Sequence, residues 1–367
     1  MARVTPSASP IATPRALGFR QPAEWEPHRA TWLAWPHHTE DWPGKLEAIV
    51  WVYVEIIRKL AQNEEVCLLV QSEKIERQAR EALAKGSANL ENVTFLRVAT
   101  DRAWLRDTAP SFVKAGDQVA VVDWEFNGWA KYPNFERDNL VPSHIARHRT
   151  MRRFVPKPPA MRGLLEGAPP GVVLEGGSID VDGRGTMLTT EECLLSEVQQ
   201  RNPGLERADL EAIFADYLGV TRVLWLGRGI AGDDTHGHID DLARFVRPGV
   251  VVIAHESRRN DDNYIALNEN LERLRTMTDA GGQKLDVVTL PMPSPVFFDG
   301  MRLPASYANF YIANGLVLVP TFNDRNDRRA LGILSELFPD REVVGIHAVD
   351  LVWGLGTLHC MSHEEPQ

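Results

Sequence analysis

The chain has 367 residues, 44% hydrophobic and 25% charged, with a formal net charge of −10. That is ordinary globular composition, with enough apolar material for a large core. The acidic balance argues against a general nucleic-acid binder, because phosphate contacts need clustered Lys and Arg, and no apolar run is long enough to span a bilayer.

Residues 1–22, MARVTPSASPIATPRALGFRQP, are rich in Pro, Ser and Ala and lack acids. A transit peptide is one reading. The prolines oppose an amphipathic helix and there is no apolar h-region, so a disordered tail is expected, with one domain over 23–367. Cys67, Cys193 and Cys360 are few, scattered and odd in number. They argue against a disulfide framework and fit a reducing, cytoplasmic setting.

In chain order, ATWLAWP (30–36), a helix over 45–62 and EVCLLV (65–70) make a first module. WLRDTAP (104–110) leads into a hairpin, SFVKAGDQVAVVDW (111–124). A second hairpin, IDVDGRGTMLTT (179–190), is followed by a helix over 208–219 and the strand TRVLWL (221–226). A third, LARFVRPGVVVIA (242–254), precedes a helix over 264–277 and LDVVTL (285–290). A fourth, NFYIANGLVLVP (309–320), precedes a helix over 328–339 and EVVGIHAV (342–349). Each hairpin is two β-rich runs around a short turn with glycine. The middle stretches repeat apolar residues at three- and four-residue steps, the mark of amphipathic helices.

The turn glycines, Gly116, Gly183, Gly249 and Gly315, fall at intervals of 67, 66 and 66 residues. The unit is hairpin, helix, strand, and such units bury their apolar faces against one another. Five fill the chain. The segment around Cys360 follows the last strand with no helix of its own. It is expected to return to the first module, in a closing strand, and so complete a ring of ββαβ modules in an α/β fold.

Nine residues before Gly116 stands Asp107, and nine before Gly249 stands Asp240. The same count from Gly183 reaches the residue before Glu175, and from Gly315 it reaches Ser306. Asp107, Glu175, His238 with Asp240, and Ser306 therefore converge, with Cys360 at the corresponding end of its own segment. Simpler readings stand beside this one. Asp107 can cap a turn. HGHID (236–240), if a strand, puts His236, His238 and Asp240 on one face and offers a metal site. Cys360 can be a core thiol, as Cys67 is expected to be; Cys193 is also expected to be structural.

Two carboxylates, a histidine and a thiol suit one chemistry well. Paired buried carboxylates repel, and a cation relieves them. A planar guanidinium matches carboxylates bidentately. Held there, its carbon is open to attack by a Cys360 thiolate, whose pKa falls beside the guanidinium or a protonated His238. The histidine then protonates the departing amine and deprotonates the water that releases the product.

AEWEPHRATWLAWP (23–36), WLRDTAPSFV (104–113), LEGGSIDVDG (174–183), DDTHGHIDDLARFV (233–246) and GTLHC (356–360) resemble the agmatine deiminase family, related to the peptidylarginine deiminases. The resemblance implies a five-bladed α/β propeller, the pentein fold. It also implies hydrolysis of agmatine to N-carbamoylputrescine and ammonia without metal or organic cofactor. By motif it makes Cys360 the nucleophile, His238 the acid and base, and Asp107 and Asp240 the guanidinium ligands. Trp104, Trp35 and Trp42 either wall the substrate's alkyl chain or pack the blades; Glu175 is placed in the support shell or at the substrate, and Asp234 at the substrate. HGHIDD and LGTLHCMSHEEPQ depart from the NGHVDN and Gly-Gly-Asn-Ile-His-Cys patterns of many members. Deimination is thereby better supported than agmatine as the substrate. Another guanidino compound such as arginine, amidino transfer, a guanidine-binding protein without turnover and a metal-dependent hydrolase are the alternatives. A homodimer is carried as an expectation that no motif fixes.

Overall fold

The computed structural model describes residues 12–158 and 171–367. β1 (His28–Ala34), α1 (Leu46–Leu60), β2 (Glu65–Val70), α2 (Glu73–Lys85) and β3 (Val93–Arg97) come first. Then follow α3 (Leu105–Thr108), β4 (Ser111–Ala115), β5 (Gln118–Val122), α4 (Val141–Arg149) and β6 (Arg152–Phe154). β7 (Asp180–Val181), β8 (Thr186–Thr190), α5 (Glu191–Leu195), α6 (Arg207–Leu218) and β9 (Arg222–Leu226) make the next group. β10 (Ala243–Arg247), β11 (Val250–His255), α7 (Asn263–Thr276) and β12 (Asp286–Pro291) follow, with a short hairpin of β13 (Phe297–Phe298) and β14 (Met301–Arg302). β15 (Tyr311–Ala313), β16 (Leu316–Thr321), α8 (Asp327–Leu337), β17 (Glu342–His347), α9 (Leu358–Met361) and β18 (Ser362–Pro366) complete the chain.

Among the described residues, five sheets share one pattern: an antiparallel pair whose second strand takes a parallel neighbour. They are β4-β5-β6, β7-β8-β9, β10-β11-β12, β15-β16-β17 and β18-β1-β2, the last extended by β3. Tight turns close four of the antiparallel steps, the fifth bringing β18 back to β1 from far along the chain, while each parallel step needs a crossover, here α1, α4, α6, α7 and α8, with α2 leading to β3. Gly116, Gly249 and Gly315 sit at φ of 57°, 73° and 67°, the left-handed region an L side chain enters at a cost. A Cβ on Gly116 or Gly249 would meet nothing within 4 Å, so the turn itself demands glycine there. The central strands β2 and β11 are buried along nearly their whole length, as expected where both faces are covered. The apolar face of α1 (Ile49, Tyr53, Ile57, Leu60) joins this core. Each of the three aliphatic side chains among them stabilises the fold by about 1.5–3 kcal/mol relative to exposure.

The return to the first module is as expected: β18 lies antiparallel to β1, pairing Leu33 with Ser362 and His28 with Pro366. Three expectations need correction. First, α2 and β3 extend the first sheet beyond the three-element module. Second, the boundary at residue 22 does not mark the start of order. Phe19 is buried in the core, its ring 5.8 Å from that of Phe154, and Arg20 exchanges backbone hydrogen bonds with Lys114 at 3.0 and 2.7 Å. Residues 1–11 of the expected tail lie outside the described residues. Third, Cys360 is not in the closing strand but in α9, the helical turn just before it.

That last difference has a counterpart in other modules. Asp107 lies in α3, just before β4; Asp240 lies in a 3-10 turn, Ile239–Asp241, just before β10; Glu175 precedes another, Gly176–Ser178, just before β7. These turns pack on one another and on α9. A helical turn leading into each hairpin thus aims its side chains toward its counterparts, while the sheets pack behind.

Candidate active site

Cys360 is buried but borders a cavity of about 210 Å3 that Trp104, Asp107, Trp129 and Asp234 also line. Its Sγ lies 3.6 Å from Asp240 Oδ2 and accepts a hydrogen bond from Asn309 Nδ2 at 3.1 Å. Asn309 Oδ1 in turn accepts from the Thr357 hydroxyl at 2.7 Å and the His359 N–H at 3.0 Å. One buried amide therefore fixes both the thiol and the turn that carries it.

Asp107 is held by neutral donors. Trp129 Nε1 donates to Oδ2 and the Gly177 N–H to Oδ1, each at 2.9 Å. His238 Nδ1 stands 3.9 Å from the same Oδ1, and His238 Nε2 stands 3.9 Å from Glu175 Oε2. Glu175 Oε1 accepts from Arg201 Nε at 2.9 Å. Asp240 Oδ2 meets His359 Nδ1 at 2.7 Å, and His359 Nε2 meets Glu24 Oε2 at 2.8 Å. Gly177 explains how these groups approach so closely. A Cβ there would fall 2.6 Å from His238 Nδ1, 2.8 Å from Asp107 Oδ1 and 3.1 Å from Asp240 Oδ2. Gly356 does the same on the other side, where a Cβ would meet Trp104 at 2.9 Å and the Cys360 Cβ at 3.0 Å.

Charge follows from these partners. Burial raises the Asp107 carboxyl to about 6, against the pull of His238 and with the help of Asp240 and Glu175. Burial opposes ionisation of Asp240 too, but the hydrogen bond and charge of His359 outweigh it and hold that carboxyl below its ordinary value. Burial likewise loses to Arg201 at Glu175, which falls to about 2. Burial alone would lower His238; the Asp107 carboxylate, with Cys193 and Glu175, raises it instead. Burial and then the carboxylates of Asp240, Asp241 and Asp107 push the Cys360 thiol well up. The lowering anticipated beside a protonated His238 is thus absent in the unliganded site.

The structure brings together Cys360, His238, Asp107, Asp240, Glu175 and Trp104. Asp234 stands at the cavity too, but its carboxylate is taken by Lys131 and, at 2.6 Å, by the Tyr132 hydroxyl. Ser306 is not at the thiol: its hydroxyl donates to the Asp241 carbonyl at 2.7 Å. Trp42 and Trp35 are packing residues; Trp42 Nε1 donates to the Leu351 carbonyl at 2.9 Å and its ring supports Trp104 at 5.1 Å. The strand reading of HGHID fails. His236 sits at φ 66° before a 3-10 turn, with Nε2 3.2 Å from Ser196 Oγ, turned away from Asp107 and Glu175. Among the described residues, the metal-type ligand groups are Glu175–Cys193–His238 and Asp240–Asp241–Cys360, and His236 is in neither. Cys67 is buried against Arg149 on β2, as a core thiol. Asn309, His359 and Trp129 escaped the sequence reading. Asn309 stands three residues beyond the counted Ser306, and GTLHC itself carried His359 next to the thiol.

A thiol set among carboxylates suits work on a cationic carbon, and the guanidino-modifying enzymes are the class built for that work. Over residues 20–366 the chain matches the Porphyromonas-type peptidyl-arginine deiminases, and it belongs to that family. It is 36% identical to the agmatine deiminase of Pseudomonas aeruginosa, over 98% of each chain. It is 34% identical to that of Pseudomonas fluorescens, over 97% of each. The solved structure of Enterococcus faecalis agmatine deiminase superposes with a TM-score of 0.87 at 34% identity, covering 98% of this chain and 99% of that one, so the two share a mixed α/β fold.

Proposed function

We propose that the protein hydrolyses agmatine to N-carbamoylputrescine and ammonia, with Cys360 as nucleophile. The observation that carries this is the thiol 3.6 Å from Asp240, at a cavity that Asp107 also lines. Without substrate, burial and then the neighbouring carboxylates keep the thiol protonated. A guanidinium between Asp107 and Asp240 reverses that field, so the cation itself promotes loss of the thiol proton. The thiolate attacks the guanidinium carbon and gives a neutral tetrahedral adduct. His238 gives a proton to one amino group, ammonia leaves, and a thiouronium remains on Cys360. Water then attacks the same carbon, His238 takes one of its protons, and the C–S bond breaks as the remaining hydroxyl proton passes to the departing sulfur, releasing the ureido product and the free thiol. No step needs a metal or organic cofactor.

Agmatine is favoured over arginine by the outer cavity wall, where Asp41 is paired with Arg102 and Asp234 with Lys131, leaving Glu40 as the acidic excess. An α-carboxylate would find both cations already paired, whereas the terminal ammonium of agmatine is drawn to Glu40. Arginine and its peptides are the second reading, favoured by the family to which the chain belongs. The matched relatives that carry the agmatine name support the first. The fold read for this chemistry is a five-bladed propeller. It is supported by the five sheets of one pattern and by β18 returning to β1, with one domain running from about residue 14. No helix of the described residues is long and apolar enough to cross a membrane. Three unpaired cysteines suit a reducing, cytoplasmic setting. The expected homodimer is part of the same proposal and is tested by molar mass in solution.

Ammonia and ureido-product release should be measured with agmatine, arginine and an arginyl peptide. Agmatine should turn over fastest, and Cys360→Ala should release no ammonia while keeping the wild-type circular dichroism spectrum. Release at the wild-type rate from that variant overturns the mechanism.

A further inference from the structure

The Glu175–His238 pair has a third neighbour that deimination does not use. Cys193 lies in α5, and its N–H donates at 3.0 Å to the Thr190 hydroxyl, which itself donates to the Gly237 carbonyl at 2.5 Å. The turn carrying Cys193 is therefore tied to the loop carrying His238. Cys193 Sγ and one ligand atom each of Glu175 and His238 lie within 4.8 Å of one another, and all three residues are buried. Glu175 Oε2 and His238 Nε2 face each other at 3.9 Å, and neither has a hydrogen-bond partner. Buried polar atoms without partners are uncommon and point to a missing ligand.

We propose that Glu175, Cys193 and His238 form an inhibitory site for a borderline-soft divalent cation, with Zn2+ the best match. A thiolate, an imidazole and a carboxylate make the mixed S, N, O set that zinc takes and that Mg2+ and Ca2+ avoid. Zinc bonds of about 2.0–2.3 Å put tetrahedral ligand atoms roughly 3.4–3.7 Å apart, so the three side chains need only draw in slightly. On binding, the Cys193 S–H bond and the Nε2–H bond of the protonated His238 break, both protons pass to buffer, and Zn–S and Zn–N bonds form; no electrons are transferred. The fourth position is left to water.

The geometry separates metal from substrate. The guanidinium would lie on the Nδ1 edge of His238, because that atom faces Asp107 Oδ1 at 3.9 Å and Asp107 lines the cavity together with Cys360. The metal takes the Nε2 edge. It therefore removes the proton-transfer histidine without filling the substrate's place, and inhibition should lower kcat far more than it raises KM. The inhibitory half rests on the deiminase reading; the binding half does not.

The test uses Co2+ as a spectroscopic probe with the full chain carrying Cys360→Ala, so that neither turnover nor the Cys360 thiol contributes. One equivalent of Co2+ should give a thiolate-to-cobalt absorption band in the near ultraviolet, displaced by Zn2+. The band should vanish when Cys193→Ser is added and weaken when Glu175→Gln is added, with thermal unfolding checking that each variant is folded. A band that survives Cys193→Ser, or none in Cys360→Ala, overturns the site. If Cys193→Ser does not fold, alkylation is read instead: Zn2+ should protect Cys193 from iodoacetamide at least tenfold, and equal labelling with and without Zn2+ overturns the site. With active enzyme, Cys193→Ser should need at least tenfold more Zn2+ for half-inhibition, relative to its own metal-free rate. Intact cobalt binding without inhibition would retain the site and overturn only its link to turnover.

Discussion

Asp107 and Asp240 occupy the same place in two modules, each in a helical turn just before its hairpin and each almost wholly buried. Their charges nevertheless differ. Asp107 is gripped by an indole N–H and a backbone N–H, and burial lifts it to about 6. Asp240 is bonded to His359, which is bonded in turn to Glu24, and Glu24 is held near 2 by Arg244, His359 and Arg106 against its burial. The repeat sets where a carboxylate points, and the partners brought from distant modules set whether it is ionised. One carboxylate is a fixed anion; the other is poised to protonate within the working pH range.

The largest expected effect is on the fixed anion. Asp240→Asn leaves His359 and the Arg244–Glu24 network without the charge they were arranged around. It should lower kcat/KM for agmatine by about a thousandfold, the equivalent of roughly 4 kcal/mol for breaking a buried ionic group. A loss below tenfold would remove Asp240 from the guanidinium site. Asp107→Asn should cost less, about a hundredfold near pH 7.5, since one charge-assisted contact is worth about 1.5–3 kcal/mol. Wild-type kcat/KM should fall as pH drops below about 6, because protonated Asp107 no longer offers an anion. That acid limb should be missing in Asp107→Asn.

The same carboxyl predicts a change in stability. Its folded pKa is raised above the usual 3.8 to about 6. The stabilisation of its neutral form is therefore full below about pH 4 and lost as pH rises through 6. Asparagine does not titrate. Between pH 4 and 7, Asp107→Asn should gain on wild type by on the order of 2 kcal/mol in urea unfolding. A difference independent of pH would mean that Asp107 is not raised.

The hairpins were legible in the sequence because positive-φ turns need glycine and strands need alternation, two local rules. The helices over 208–219 and 264–277 were legible for the same reason, since α6 and α7 fall within one residue of those bounds. The equivalence of Asp107 and Asp240 followed from counting along the repeat. What the count missed was set by contacts between modules. Asn309 reaches Cys360 across 51 residues, and Glu24 reaches His359 across 335. No local periodicity records such distances. The strand reading of HGHID failed because Gly237, at φ 94°, turns the chain there, and a motif of alternating polar residues does not reveal that turn.

Trp129 offers the finest test of the comparison. It sits at φ 58° and ψ 27°, a left-handed backbone that costs a residue other than glycine roughly 1–2 kcal/mol. Gln199 Nε2 donates to its carbonyl at 3.1 Å and helps hold the turn. The strained turn delivers the indole N–H to Asp107 Oδ2. That bond favours the ionised carboxyl, so it works against burial. Trp129→Phe keeps an aromatic ring, smaller than the indole, and deletes the donor. It should lower kcat/KM at pH 7.5 by about fivefold to tenfold, as expected for one hydrogen bond. It should also move the acid limb above 6, because Asp107 then protonates more readily. The two readouts must move together: a loss of activity with the limb unmoved would mean that Trp129 shapes the cavity and does not tune the carboxylate. In Asp107→Asn, adding Trp129→Phe should cost little further, since no anion remains for the indole to support.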